Sequence, residues 1–320
     1  MEWNKEKAAP PPAPAPATAA AAQLGAGAVP DAVPAAAAPV PADAAVPAPV
    51  ATAAAAAVES APAAAAAARV TVTSDVLRLV LDGGSVLQAD LLQFPQSRQS
   101  GSEPVRLFST AADDFYAAQS GWVSSTAAAP RHVNGFTPVG SERQYALAEG
   151  QDAVAVPFVW QGADGVRILR TYTVRRGAYA VEVRDEVVNQ GSSPWQGQVY
   201  RQLIRTPPQI ERGYTRPESF SFNGAAWYDG SYQRRKFDED YLEDGKVDQQ
   251  VSSGWVAMLQ HHFFTAWIPE GGKPSTISLD QHATGALVRE MGAPVQVAPG
   301  ATAVSSARLY VGPKLVSQIR

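Results

Sequence analysis

Residues 153–174 read Ala153-Val-Ala-Val-Pro-Phe-Val-Trp-Gln-Gly-Ala-Asp-Gly-Val-Arg-Ile-Leu-Arg-Thr-Tyr-Thr-Val174, and residues 179–188 read Tyr179-Ala-Val-Glu-Val-Arg-Asp-Glu-Val-Val188. Apolar residues alternate with others along each run, the period of a strand with one face buried. Gly162-Ala-Asp-Gly165 and Arg176-Gly177 interrupt the alternation with tight-turn residues. Three strands joined by short turns form a meander, closing at Asn189-Gln190-Gly191. The same texture begins at Val70, where Val72, Val76, Leu77, Leu79 and Leu81 precede Asp82-Gly83-Gly84, and Val86, Ala89 and Leu91 continue it. Further strands are predicted over 198–204, 255–268, 286–289, 295–297 and 305–311. No convincing amphipathic helix interrupts them, and no repeat of 20–50 residues suggests a propeller or solenoid. The fold class predicted is all-β, a large β-sandwich over residues 69–315.

Upstream the composition changes. Residues 8–68 contain 33 Ala and 12 Pro, and their only charges are Asp31, Asp43 and Glu59. Small side chains and donor-free prolines cannot offset the entropy of ordering such a segment. A disordered, semi-extended tether is expected there. Without it, residues 69–320 carry 24 Lys+Arg and 25 Asp+Glu. A near-neutral domain lacks the basic footprint of a nucleic-acid binder. The absence of cysteine removes disulfides, thiolate metal sites and a Cys nucleophile. No stretch approaches the roughly 20 apolar residues of a membrane helix.

Catalytic signatures are sparse. The histidines are His132, His261, His262 and His282, and no HxH or HxxxH spacing joins them. Adjacent His261 and His262 on a strand would point to opposite faces. No Gly-x-Ser-x-Gly elbow occurs, and Gly191-Ser-Ser193 and Ser252-Ser-Gly254 read as turns. Asp238, Glu239, Asp240, Glu243 and Asp244 could supply paired carboxylates for glycoside chemistry, but acids this close in sequence read as a solvated loop. No cofactor or metal is expected.

The stretch 220–237, Phe-Ser-Phe-Asn-Gly-Ala-Ala-Trp-Tyr-Asp-Gly-Ser-Tyr-Gln-Arg-Arg-Lys-Phe, sets six aromatics among turn residues and a basic run. Such composition suits a protein contact surface or a core beneath a long loop.

Ser253-Gly-Trp-Val-Ala-Met-Leu-Gln-His-His-Phe-Phe-Thr-Ala-Trp-Ile-Pro269 resembles the Gly-Trp-x-Ala-Met-Leu-Gln-x-Tyr-Phe-x-x-Ala-Trp-Ile-Pro signature of the YidC periplasmic domain family. Its members are Gly254, Trp255, Ala257, Met258, Leu259, Gln260, Phe263, Ala266, Trp267 and Pro269, and they are expected to be structural. His262 stands where the family usually carries Tyr. Thr73-Ser-Asp-Val-Leu-Arg-Leu-Val-Leu81, Phe115-Tyr-Ala-Ala-Gln-Ser-Gly121, Tyr145-Ala-Leu-Ala-Glu-Gly150, Arg176-Gly-Ala-Tyr-Ala-Val181, Phe222-Asn-Gly-Ala-Ala226, Lys236-Phe-Asp238 and Leu309-Tyr-Val-Gly-Pro313 follow in the family's order.

The resemblance implies a β-supersandwich of the galactose-mutarotase type with an elongated cleft. It implies a non-enzymatic part of a bacterial inner-membrane insertase and chaperone, facing the periplasm. Its implied partners are the accessory subunits of the Sec translocon, with nascent membrane proteins handled mainly by a membrane core outside this chain. Residues 1–7 would flank a first membrane helix, and residues 316–320 would begin an interfacial helix, so membrane association would come through flanking spans. Tyr228, Tyr232, Arg235 and Phe237 are the expected partner-binding anchors. Two alternatives use the cleft. A carbohydrate-binding or mutarotase-like protein would need an acid and a base across a sugar ring. A client-holding chaperone would use Trp255, Met258, Phe263, Phe264 and Trp267.

Overall fold

The computed structural model describes residues 69–208, 221–237, 241, 247–282 and 285–314. The Ala/Pro-rich stretch 8–68, the ends 1–7 and 316–320, Phe220 and the acidic cluster of Asp238, Glu239, Asp240, Glu243 and Asp244 lie outside the described residues.

Strands dominate. The first five are β1 (Val70–Thr73), β2 (Leu77–Leu81), β3 (Ser85–Pro95), β4 (Pro104–Phe108) and β5 (Tyr116–Ser124). After the short pieces β6 (Thr137–Pro138) and β7 (Gln144–Ala146) comes the meander β8 (Ala153–Gln161), β9 (Val166–Arg175) and β10 (Ala180–Asn189). Next are β11 (Trp195–Arg205), β12 (Gly224–Tyr228), β13 (Tyr232–Lys236), β14 (Asp248–Val251), β15 (Val256–Leu259) and β16 (Phe263–Pro269). The chain closes with β17 (Ser275–His282), β18 (Gly285–Gly292), β19 (Val295–Val297) and β20 (Thr302–Pro313).

They form two sheets. One runs β14-β17-β18-β11-β5-β3-β2-β1-β7, with β19 joined to β11 and β4 to β3. The other runs β13-β12-β15-β16-β20-β10-β9-β8-β6. All pairings are antiparallel except β1 with β7. The sheets stack face to face, which the side-chain bonds between them establish. Trp122 of β5 donates to Asp185 of β10 at 2.7 Å, Trp267 of β16 donates to the Gln202 carbonyl of β11 at 3.2 Å, and Tyr116 of β5 bonds Thr265 of β16.

Several runs depart from the sequence reading. Residues 70–81, which read as one strand ending at Asp82-Gly83-Gly84, form the antiparallel hairpin β1–β2 with Val70 opposite Leu81. Residues 255–268 are not one strand but the hairpin β15–β16, so His261 and His262 occupy its turn and are not strand residues. The turn carries no Gly, Pro, Asn or Asp, and nothing in local composition announces it. Residues 224–236, where the sequence reading placed no strand, form the hairpin β12–β13, turned at Asp229-Gly230, where Gly230 has φ of 108°. A positive φ at that position is readily supplied by glycine.

The meander shows what aligns the layers. On β9 the buried positions are Val166, Ile168, Arg170, Tyr172 and Val174; on β10 they include Val181, Val183, Asp185 and Val187. Arg170 and Asp185 are therefore in phase with the core, and they are register partners. Arg170 Nε and Nη2 reach Asp185 Oδ1 and Oδ2, each at 2.7 Å. Its Nη1 donates across the sandwich to the carbonyls of Gly83 and Ser120 at 3.1 and 2.9 Å, and Nη2 donates to the Ser120 hydroxyl at 3.1 Å. The Phe136 ring lies 4.2 Å from the guanidinium carbon. A second tie is the buried register pair Arg201–Glu290 at 2.9 Å, from which Arg201 also reaches Ser305 of the opposite sheet at 2.7 Å.

Breaking a buried pair by removing one partner leaves an uncompensated charge. Asp185→Asn is expected to lower unfolding free energy by about 3–5 kcal/mol in urea titrations, whereas the double change Arg170→Met with Asp185→Leu recovers most of it. A loss below about 1 kcal/mol for Asp185→Asn would contradict the assignment.

Candidate functional site

The hairpin β15–β16 and its neighbour β12–β13 build the surface in question. A Cβ on Gly254 would fall 2.6 Å from the Tyr228 carbonyl oxygen and 2.8 Å from Val251, so this close approach requires glycine. Met258 and Trp267 are buried toward the opposite sheet. Ala257 and Ala266 face each other across the hairpin, both buried, with Leu259 opposite Phe264. Gln260 accepts from Arg205 Nη1 at 2.8 Å. Phe263 meets Phe94 edge-on at 5.5 Å, and Pro269 ends β16 opposite Ala307. These side chains define the hairpin's shape and its seat on the core.

Trp255 is only half-buried. Its ring lies 6.2 Å from Tyr228, nearly parallel, and 6.1 Å from Tyr232. Tyr228 is 38% exposed and Tyr232 54%, two of the few large apolar side chains so open among the described residues. Alternation along β13 places Tyr232, Arg234 and Lys236 on one face, all exposed, and Gln233 with Arg235 on the other. Arg235 lies 6.0 Å over the Trp227 ring and donates to the Tyr241 carbonyl at 3.3 Å, while the Phe237 ring lies 5.6 Å from Tyr241. The four anticipated anchors therefore divide. Tyr228 and Tyr232 share an open patch with Trp255, while Arg235 and Phe237 turn toward Trp227 and Tyr241. Trp255, expected with the signature and with a client-holding surface, joins the anticipated partner-binding tyrosines because its position beside the turn of β12–β13 brings it to the surface.

The histidines do not converge as one site. His261 and His262 have ring centroids 3.8 Å apart at the β15–β16 turn, and the Ser221 hydroxyl contacts His261 Nδ1. On either side of that turn lie two clefts, of about 370 and 470 Å³, that share His261, His262 and Phe263. His282 Nε2 is 3.9 Å from Asp280. His132 is buried against Tyr200, whose hydroxyl accepts from the His132 backbone N–H at 2.9 Å and lies 2.8 Å from its Nδ1. Among the described residues no three His, Asp or Glu side chains gather as a metal site would require.

Sequence comparison then places the chain. The family model of the YidC periplasmic domain matches residues 69–320. The chain belongs to the YidC periplasmic domain family. It is 53% identical over 253 residues to the membrane protein insertase YidC of Stenotrophomonas maltophilia K279a, covering 78% of this chain and 44% of that protein. It is 50% identical over 252 residues to the membrane protein insertase YidC of Xanthomonas oryzae pv. oryzae PXO99A, with 78% and 43% covered. The chain thus spans less than half the length of these curated relatives. Among solved structures it is similar in outline to a galactose mutarotase-like protein of Lactobacillus casei, with a TM-score of 0.42, 10% identity and 76% of this chain and 99% of that one covered. A galactose mutarotase related enzyme of Lactobacillus acidophilus gives a TM-score of 0.46 at 7% identity, with 77% and 100% covered. Among the described residues of this YidC periplasmic domain no helix is long and apolar enough to cross a membrane.

Burial pushes the His132 imidazole from 6.5 down to about 4, helped by the charges of Arg289 and Arg131. A base whose folded pKa is depressed contributes stability that is complete above the unfolded pKa and is lost as pH falls toward the folded one. The window runs from pH 6.5 down to about 4. His132→Asn keeps a polar partner for Tyr200 but cannot titrate. Its stability deficit relative to wild type is expected to shrink by up to about 3 kcal/mol across that window, measured by urea unfolding at each pH. A deficit independent of pH would contradict a neutral, buried His132.

Proposed function

We propose that this chain is the periplasmic part of a bacterial inner-membrane insertase and chaperone, and that it acts as a docking module and not as an enzyme. Family membership and the names of the relatives support the first half of this reading. The integration of nascent membrane proteins would then lie mainly with segments outside this chain. Flanking spans would anchor the domain to the membrane, with the described residues facing the periplasm.

The open patch of Tyr228, Trp255 and Tyr232, bordered by Arg234 and Lys236, is the observation that carries the docking reading. Aromatic rings beside arginine are the side chains that dominate protein interfaces, because they bury large area at low entropic cost. The accessory subunits of the Sec translocon are the proposed partners. The mutarotase-like alternative rests on similarity in outline at TM-scores of 0.42 and 0.46, which carries no argument for sugar chemistry.

Recovery of purified accessory Sec subunits on the immobilised chain tests this. Tyr228→Ala with Tyr232→Ala should lower recovery about tenfold or more, as loss of interface hot spots does. Phe237→Ala, whose ring meets Tyr241, should matter less. Undiminished recovery by the double tyrosine variant would overturn the assignment.

A further inference from the structure

The two clefts beside the β15–β16 turn lie away from the aromatic patch, and their side chains have a chemistry of their own. The larger is lined by Arg106 of β4, Arg205 at the end of β11, and Gln260, His261, His262 and Phe263, among others. The smaller adds Phe94, Pro313 and Lys314 to the shared His261, His262 and Phe263.

Arg205 is the unusual member. It is 7% exposed, yet no carboxylate pairs with it among the described residues. Its Nη1 donates to Gln260, its guanidinium carbon lies 4.7 Å over the Tyr116 ring, and its buried Nε has no hydrogen-bond partner among the described residues. Buried charges are ordinarily paired, and a buried N–H without an acceptor is costly. With Nη1 held by Gln260 and Nε sealed from solvent, Nη2 is the donor left to meet an acceptor in the larger cleft, which Arg205 lines. The Nε–Nη2 edge of Arg106 is already held by Asp90, at 2.7 and 3.2 Å, leaving its Nη1 available.

We propose that the larger cleft binds a phosphate ester, with the oxyanion on Arg205 and an apolar substituent against Val105, Leu107 and Phe263. Donors reach this region from three elements: Arg106 on β4, Arg205 on β11, and His261 with His262 on the turn. A planar carboxylate suits one guanidinium fork, whereas tetrahedral phosphate offers oxygens in several directions to such a set. Val105, Leu107 and Phe263 in the same cleft favour a phosphate that carries a hydrocarbon portion, as a lipid headgroup does. The inference is independent of Sec docking, because Tyr228, Tyr232 and Trp255 line neither cleft.

Titration of the full chain with dihexanoylphosphatidylglycerol, followed by the arginine Nε–H and histidine ring resonances, is the test. Binding should perturb Arg205, His261 and His262, and should weaken about tenfold or more in Arg205→Gln and in His261→Gln with His262→Gln. Because both histidines are exposed, that second variant decides the matter if Arg205→Gln unfolds. Flotation with phosphatidylcholine vesicles, with and without phosphatidylglycerol, and competition by inorganic phosphate separate the sources. Retention on the anionic vesicles assigns a lipid headgroup, and equally tight binding of inorganic phosphate assigns the free ion to the same site. Binding unaffected by either variant, or binding of a glutamate-rich peptide that phosphate does not displace, would overturn the proposal.

Discussion

The ion pair of Arg170 and Asp185 aligns the two sheets. A strand pair facing an apolar layer can be slid or twisted at modest cost, because dispersion contacts are individually weak and non-directional. A guanidinium whose donors must reach Asp185 on its own sheet, and Gly83 and Ser120 on the other, fixes both spacing and register. Trp122 strengthens the constraint by donating to the same carboxylate from β5. Once β5 is seated over β9 and β10, its own Tyr116 meets Thr265, and its register with β11 sets where Gln202 meets Trp267. The signature hairpin is positioned at the end of this chain of contacts.

That hairpin then presents different chemistry at its two ends. Near the start of β15, Trp255 completes the aromatic patch with two tyrosines from the edge hairpin. At the opposite end, the turn divides two clefts in which Arg205 and the adjacent histidines meet apolar walls. Between the ends, buried Ala257, Met258, Ala266 and Trp267 couple both surfaces to the core. A partner surface and a small anion-binding site can therefore coexist on one rigid element, and changes at the exposed tyrosines need not disturb the clefts.

Strands with one solvated and one buried face were the legible ones. The meander was read almost to its observed ends because polar residues alternate cleanly along β9 and β10. β5 escaped the reading, since Tyr-Ala-Ala-Gln-Ser-Gly-Trp-Val-Ser is buried on both faces nearly throughout and shows no period. β12 was hidden by small residues, Gly224, Ala225 and Ala226, whose burial follows from neighbours and not from their own hydrophobicity. Aromatic enrichment around Tyr228 was visible in the sequence; which rings face outward was not, because the register of β12 with β13 decides it. Arg170 and Asp185 stand at in-phase positions of alternating strands, so their burial was readable, although charged residues are by default assigned to the solvated face. Arg205 offered no such signal, since its lack of an acidic partner among the described residues is a property of tertiary packing.

Native-state hydrogen exchange measures most directly whether the buried ion pair makes the two sheets one cooperative unit. The account predicts that core amides of β5, β9 and β10 exchange only through global unfolding, with a common opening free energy and a common denaturant dependence. Exchange of β5 through a smaller opening that leaves β9 and β10 protected would show that the sheets separate independently, and would contradict it.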